Sequence, residues 1–148
     1  MKASDLVTDS IKQADYIIVC PGDLYSSIIP TLLPDGVTQS IQESKAKIIL
    51  ILNIMTKKGE TDNYTAIDFI EKIEKYLGKK SDYILYNNEP IPNDILLKYS
   101  LEQKVELGLL ENSHDQRIIS VPLAIVCESG QIFSNPKIIK ETILGIIR

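Results

Sequence analysis

The sequence has 148 residues, 44% of them hydrophobic and 24% charged, with sixteen Lys+Arg against twenty Asp+Glu and a net charge of −4. That length suits one globular domain able to bury about 70% of its unfolded surface without disulfides or metal, so residues 1–148 are read as a single domain. The mild acidity argues against nucleic acid or an anionic membrane as a general partner, and apolar runs such as Ile48–Leu52 are far too short to insert into a bilayer. The polar, acidic opening Met1-Lys2-Ala3-Ser4-Asp5 does not read as a signal peptide, which makes the cytoplasm the expected compartment.

In chain order, Leu6, Val7 and Ile11 at helical spacing predict a first helix. Tyr16-Ile17-Ile18-Val19-Cys20 follows as a continuous β-branched run, expected of a strand buried on both faces. Asp35-Gly36-Val37 opens a short helix with Val37 and Ile41 on one side, and Ile48–Leu52 is a second strand. Thr65-Ala66-Ile67-Asp68 resembles a capping box with Asp in the usual Glu/Gln place. Ile67, Ile70, Ile73 and Leu77 continue that helix, and Gly78 is placed to end it. Tyr83–Tyr86 is a third strand, and Pro92 suits the first turn of a helix containing Ile95, Leu96 and Tyr99.

The stretch from Ser100 to Arg117 is the least patterned, with Val105-Glu106-Leu107 as a candidate short strand. Ile118-Ile119 and Leu123–Val126 are late strands interrupted by Pro122. Asn135-Pro136 starts a last helix with Ile139, Ile143 and Ile147 along one side. Strands alternating with helices imply a mainly parallel sheet, hence an α/β fold of Rossmann-like three-layer α/β/α type.

Cys20 and Cys127 show no metal or redox spacing and are expected to be buried, reduced thiols. His114 lies in a polar run and is expected to be a solvated loop residue, although it is the only histidine available as a base. Pairing it with Ser26 or Ser27 as a nucleophile lacks a G-x-S-x-G elbow.

Ligands of open parallel sheets bind beyond the carboxyl ends of strands, so the loops there are the candidate site. In the first, Pro21-Gly22 is expected to turn the chain sharply, with Ser26 and Ser27 near a helix start that favours an anion; Asp23 repels phosphate unless it meets a cation or a sugar hydroxyl. In the second, Lys57 and Lys58 suit phosphates, while Glu60 and Asp62 suit a divalent metal or sugar hydroxyls. The plainer reading is a solvated loop in which Thr61, Asp62 and Thr65 cap the next helix. In the third, Asn87 and Asn88 carry amides fit for a base or sugar, or else form a turn before a proline-started helix.

These loops are also where the sequence becomes recognisable. Ala14-Asp15 through Leu33 resembles the "AD-apolar-GPGSLYTSIIPNLL" segment of the YvcK-like gluconeogenesis factors of the CofD-like superfamily. Ser44-Lys45-Ala46, Asn53-Ile54-Met55-Thr56 and Gly59-Glu60-Thr61-Asp62-Asn63-Tyr64 are similar to "SKA…NIMTQPGETDGY". Asn87-Asn88-Glu89-Pro90-Ile91-Pro92 with Tyr99 resembles "NNxPIPxxxLxxY". The resemblance covers the carboxyl half of the family and not its Gly-rich "GGGTG" amino half. It implies a Rossmann-like fold, a ligand such as UDP-N-acetylglucosamine, and a regulatory role in carbon metabolism, cell-envelope synthesis or cell shape. It implies ligand contacts from Gly22, Asp23, Leu24, Ser26 and Ser27, from Asn53, Thr56, Lys57, Lys58, Glu60, Thr61 and Asp62, and from Asn87, Asn88 and Tyr99. Three positions depart from the pattern: Asp23 stands for Ser, Lys57-Lys58 for Gln-Pro, and Phe133 removes a basic residue from an "IRHDP"-like segment.

Two other readings stand beside this one. A 2-phospho-L-lactate transferase-like enzyme would use Asp23 or Asp62 to hold Mg²⁺ on a nucleotide diphosphate and pass phospho-lactate to a deazaflavin; the "GPSNP"-type loop of that branch is missing. A truncated or split gene product would fold without independent activity. An unpaired strand edge would in either case invite a separate Gly-rich amino half or a second copy.

Overall fold

A computed structural model describes residues 1–106 and 115–148. Ser4 caps helix α1 (Asp5–Gln13) by accepting from the Val7 N–H, and the chain then enters strand β1 (Tyr16–Val19). A π-helical turn (Leu24–Ile28) runs directly into α2 (Ile29–Leu32). Gly36, at a φ of 95° that favours glycine, begins α3 (Val37–Glu43), which buries Val37 and Ile41 as expected. Strand β2 (Lys47–Ile51) leads through a long loop to α4 (Ala66–Leu77), where Thr65 and Asp68 form the capping box and Gly78 ends the helix at a φ of 68°. Then follow β3 (Tyr83–Asn87), α5 (Asn93–Lys98), β4 (Ile118–Val121), the pair β5 (Ala124–Val126) and β6 (Ile132–Ser134), and α6 (Pro136–Ile147), whose cap is Asn135.

The four strands β1-β2-β3-β4 pair in that order, all parallel, and β5–β6 is a separate antiparallel pair. Side chains alternate between two cores. Ile48, Leu50 and Leu52 face one core with α2, α3 and α4, centred on Phe69, Ile70, Ile73 and Leu77. Ile49 and Ile51 face the other with Ile95 of α5, Leu123 and the inner side of α6. Helices thus cover both faces of the sheet, the α/β/α layering that the alternating pattern predicts.

Several expectations change. β1 is not buried on both faces: it is the edge strand of the described sheet, and Ile18 is 41% exposed. A continuous apolar run reads alike at an edge and at a centre, because only the neighbouring strands distinguish them. For the same reason Cys20, just past β1, is exposed rather than buried, and Cys127, at the β5–β6 turn, is exposed too. On α6, Ile146 joins Ile138, Ile139 and Ile143 against the core while Ile147 is 45% exposed. Seven residues nearly complete two turns, whereas eight overshoot by about 80°. Strand β6 was not anticipated; three residues are too few to carry a periodic signal.

Candidate functional site

β1 and β2 are parallel neighbours with Val19 level with Leu50, so the loops that follow leave the same end of the sheet. Gly22 and Asn53 each lie three residues further on, and Asn53 Nδ2 donates to the Gly22 carbonyl oxygen at 2.8 Å. Gly22 does not need positive φ, and a Cβ there would make ordinary contacts of 3.5 Å with Ser27 and 3.6 Å with Ile28. The turn off β1 therefore does not depend on the conformational freedom of glycine.

Asp23 begins the π-helical turn, and its carbonyl oxygen accepts from the N–H groups of Ser27 and Ile28, both at 2.9 Å. The end where an anion was expected carries the chain's own carboxylate. That carboxylate is paired with the Lys57 ammonium, which lies 3.7 Å from Glu60 as well. Ser26 Oγ donates to Glu60 Oε1 at 3.0 Å and lies 3.3 Å from Asp23 Oδ2. The hydrogen bond from Lys57 to Asp23, aided by the charges of Asp23 and Glu60 and opposed by desolvation, raises the Lys57 pKa above its ordinary value.

The loop after β2 is built to aim these groups. Thr61, almost fully buried, accepts from the Lys57 N–H at 2.8 Å and donates its own N–H to the Lys57 carbonyl at 2.9 Å. Gly59, at a φ of 76°, closes the turn by donating to Asp62 Oδ2 at 2.9 Å. Buried Thr56 exchanges two 2.8 Å hydrogen bonds with the Gln103 backbone, and Val105 N–H reaches the Ile54 carbonyl at 2.8 Å. The segment anticipated as a strand at Val105-Glu106-Leu107 thus meets the loop through an isolated antiparallel bridge between Met55 and Lys104; Leu107 lies outside the described residues. The Tyr25 and Tyr64 hydroxyls are 2.7 Å apart, a further link between the two loops. Tyr64 also packs edge-on to Phe69, with ring centroids 5.6 Å apart. The bond to Tyr25, with burial second, pushes the Tyr64 pKa up to about 12.

Two acceptors stand out in this network. Asn53 Oδ1 and Glu60 Oε2 are buried without a hydrogen-bond partner among the described residues. Such atoms are uncommon and costly, and each calls for an explanation.

Not every expected residue joins the rim. Leu24 is 1% exposed and belongs to the first core. Asn87 closes its own turn and accepts from the Ala124 N–H at 2.9 Å, and the Tyr99 hydroxyl accepts from the Ile132 N–H at 3.0 Å; both brace the β5–β6 pair. Ser27, Lys58, Asp62 and Asn88 are exposed. No described hydrogen bond joins the third loop to the other two. His114 lies outside the described residues, and Ser26 is bonded to carboxylates. Gln103 carries no motif signal, and although Tyr25 and Tyr64 lie inside the recognised segments, their pairing was not legible because they are far apart in sequence. Among the described residues, no three His, Cys, Asp or Glu side chains converge to hold a metal.

Along the exposed side of β1 runs an apolar groove of about 390 Å³, walled by Val7 and Ile11 of α1, Ile17 and Val19 of β1, Ile28 and Leu32, with Cys20 and Gly22 on its lining. No helix of the described residues is long and apolar enough to cross a membrane.

Comparison with known proteins agrees with the fold and the motifs. Residues 1–123 match the family described as 2-phospho-L-lactate transferase CofD. A gluconeogenesis factor of Bacillus subtilis is 42% identical over 95 residues, covering 64% of this chain and 30% of that protein. One from Halalkalibacterium halodurans is 41% identical over 96 residues, again 64% of this chain and 30% of the relative. A crystal structure of a UPF0052-family protein from Bacillus halodurans superposes with a TM-score of 0.87 at 31% identity, covering 97% of this chain and 47% of that one. The chain spans less than half the length of these relatives.

Proposed function

The chain belongs to the CofD family, on the side of its gluconeogenesis factors, and from that premise we propose that it binds a nucleotide sugar of the UDP-N-acetylglucosamine type as part of a regulatory factor. The observation that carries the reading is the rim at the carboxyl ends of β1 and β2. There, two loops are cross-linked by Asn53–Gly22, Lys57–Asp23 and Ser26–Glu60, with the acceptors Asn53 Oδ1 and Glu60 Oε2 left without donors. Sugar hydroxyls and base N–H groups are donors of the kind those atoms lack. Lys58, Ser27 and Asn88, exposed near the strand ends, offer a cation, a hydroxyl and an amide to phosphates and sugar. A role in carbon metabolism accords with the relatives' name, gluconeogenesis factor, and regulation of carbon metabolism or envelope synthesis is part of the same proposal.

The partner in this reading is a Gly-rich amino half or a second copy, seated along β1. Its edge strand Tyr-Ile-Ile-Val carries no charge or proline to discourage pairing, and the apolar groove lies beside it. Calorimetric titration of UDP-N-acetylglucosamine into this chain, alone and mixed with the amino-terminal half of a relative, tests the reading. Saturable heat in at least one case is expected, and none in either case overturns it.

The family's description favours a second reading, phospho-lactyl transfer. Its Mg²⁺ does not fit the acids anticipated for it. Asp23 is held by the Lys57 ammonium, and exposed Asp62 is turned back onto the Gly59 N–H. Turnover of a phospho-lactyl nucleotide by the reconstituted protein would favour transfer over regulation.

A further inference from the structure

The misfit of a metal at Asp23 has a structural cause. Ser26 Oγ lies 3.3 Å from Asp23 Oδ2 and 3.0 Å from Glu60 Oε1, and one cation, the Lys57 ammonium, pairs with both carboxylates. Without it two carboxylates would face each other across a single hydroxyl proton. One further oxygen of the same residues, Glu60 Oε2, is buried with no donor among the described residues. An ammonium has three protons and leaves such acceptors over. A divalent ion takes six or more oxygens, with one or two carboxylates sufficing for magnesium. The oxygen set is therefore larger than the cation it holds.

Asp23 alone would add an uncompensated charge beside Glu60, and Lys57 alone would lack its anchor.

We propose that the Lys57 ammonium is the resident cation of an oxygen-lined site of divalent type formed by Asp23, Ser26 and Glu60, and that it presents its fixed positive charge to the ligand in place of a bound metal. The Lys57 side chain is 45% exposed, so one side of the ammonium faces solvent while the other is fixed on the carboxylates. A tethered cation cannot be removed by chelation, and its charge is present whatever the metal supply. This inference does not need the nucleotide-sugar reading, because its test uses Mn²⁺ and no sugar.

Free Mn²⁺ is measured by electron paramagnetic resonance during titration of the full chain, its Lys57→Gln and Lys57→Ala variants, and the double variant Asp23→Ser/Lys57→Gln. Circular dichroism confirms folding; the Lys57 N–H bond to Thr61 does not involve the replaced side chain, so both single variants keep that anchor. The wild-type chain is expected to leave Mn²⁺ free. Each single variant is expected to bind it about tenfold or more tightly, as removal of a charge at such range demands, and the double variant to return to the wild-type level. Equal Mn²⁺ affinity in wild type and both single variants overturns the proposal. So does a double variant that binds as well as Lys57→Gln, since the ion would then sit elsewhere.

Discussion

Asn53 uses one end of its amide to hold Gly22 at 2.8 Å and leaves the other end, Oδ1, buried without a donor. The half that is satisfied joins the loop after β2 to the loop after β1, and the half that is not is free to accept from a ligand. One residue therefore carries a structural and a binding contribution that mutation can separate.

Asn53→Ala removes the bond to Gly22 and the orphaned oxygen together, at an expected cost of about 1 kcal/mol. Asn53→Asp keeps the shape but faces the Gly22 carbonyl with a carboxylate, at an expected cost of about 2–3 kcal/mol. Urea denaturation of both variants checks the order. An alanine variant as stable as wild type would mean that the inter-loop bond contributes nothing, and an aspartate variant as stable as the alanine one that the carboxylate does not meet the Gly22 carbonyl.

The capping box of α4 is a second measurable element. Thr65 Oγ1 accepts from the Asp68 N–H and the Asp68 carboxylate accepts from the Thr65 N–H at 2.8 Å. Thr65→Ala is expected to cost about 1 kcal/mol, because the helix it starts places Phe69, Ile70, Ile73 and Leu77 in the core. The Thr65 hydroxyl and N–H together hold the Asp68 pKa below its usual 3.8. A depressed carboxylate stabilises the fold above its unfolded pKa and loses that contribution as pH falls through the folded one. In acid denaturation, Asp68→Asn should flatten the decline of stability below about pH 4 relative to wild type. An unchanged slope would rule out this source.

Tyr64 offers a spectroscopic test. Its pKa is pushed up to about 12 by the Tyr25 hydroxyl first and burial second. A raised folded pKa means that this contribution to stability is complete below pH 10 and disappears as pH rises through the folded value. Ultraviolet titration of phenolate should show one tyrosine titrating late, and Tyr25→Phe should bring it back toward 10. If the late titration persists in Tyr25→Phe, the hydroxyl pair is not its cause.

Both cysteines should react with a thiol reagent in the folded chain, giving two equivalents without denaturant. Cys20 lines the groove beside β1 and Cys127 lies away from it at the β5–β6 turn. A partner seated along β1 should therefore protect Cys20 and leave Cys127 reactive. Equal protection of both, or of neither in a verified complex, would place that partner elsewhere.

Much of the fold was legible because its signals are local. The Thr65–Asp68 box, Gly78, Asn135-Pro136 and the alternating strand runs each act within a few residues, so their spacing alone specifies them. The motif resemblance picked out the first two loops for the same reason, as continuous segments. The boundaries of what spacing can do appear at β1, Cys20 and Ile147. There, burial depends on which strand or helix face lies opposite, and composition does not encode that.

The sequence by itself determined the succession of the four parallel strands and the main helices between them, the caps, and the family to which the loops belong. The tertiary structure decided who meets whom. Asp23 and Lys57, thirty-four residues apart, each read as an ordinary loop charge until parallel pairing of β1 and β2 brought their loops together and cancelled the repulsion between Asp23 and Glu60. Asn87 and Tyr99 read as ligand contacts until the β5–β6 pair claimed their polar atoms. Hydrogen bonds and ion pairs act over a few ångströms of space regardless of separation along the chain, so only the folded arrangement could assign them.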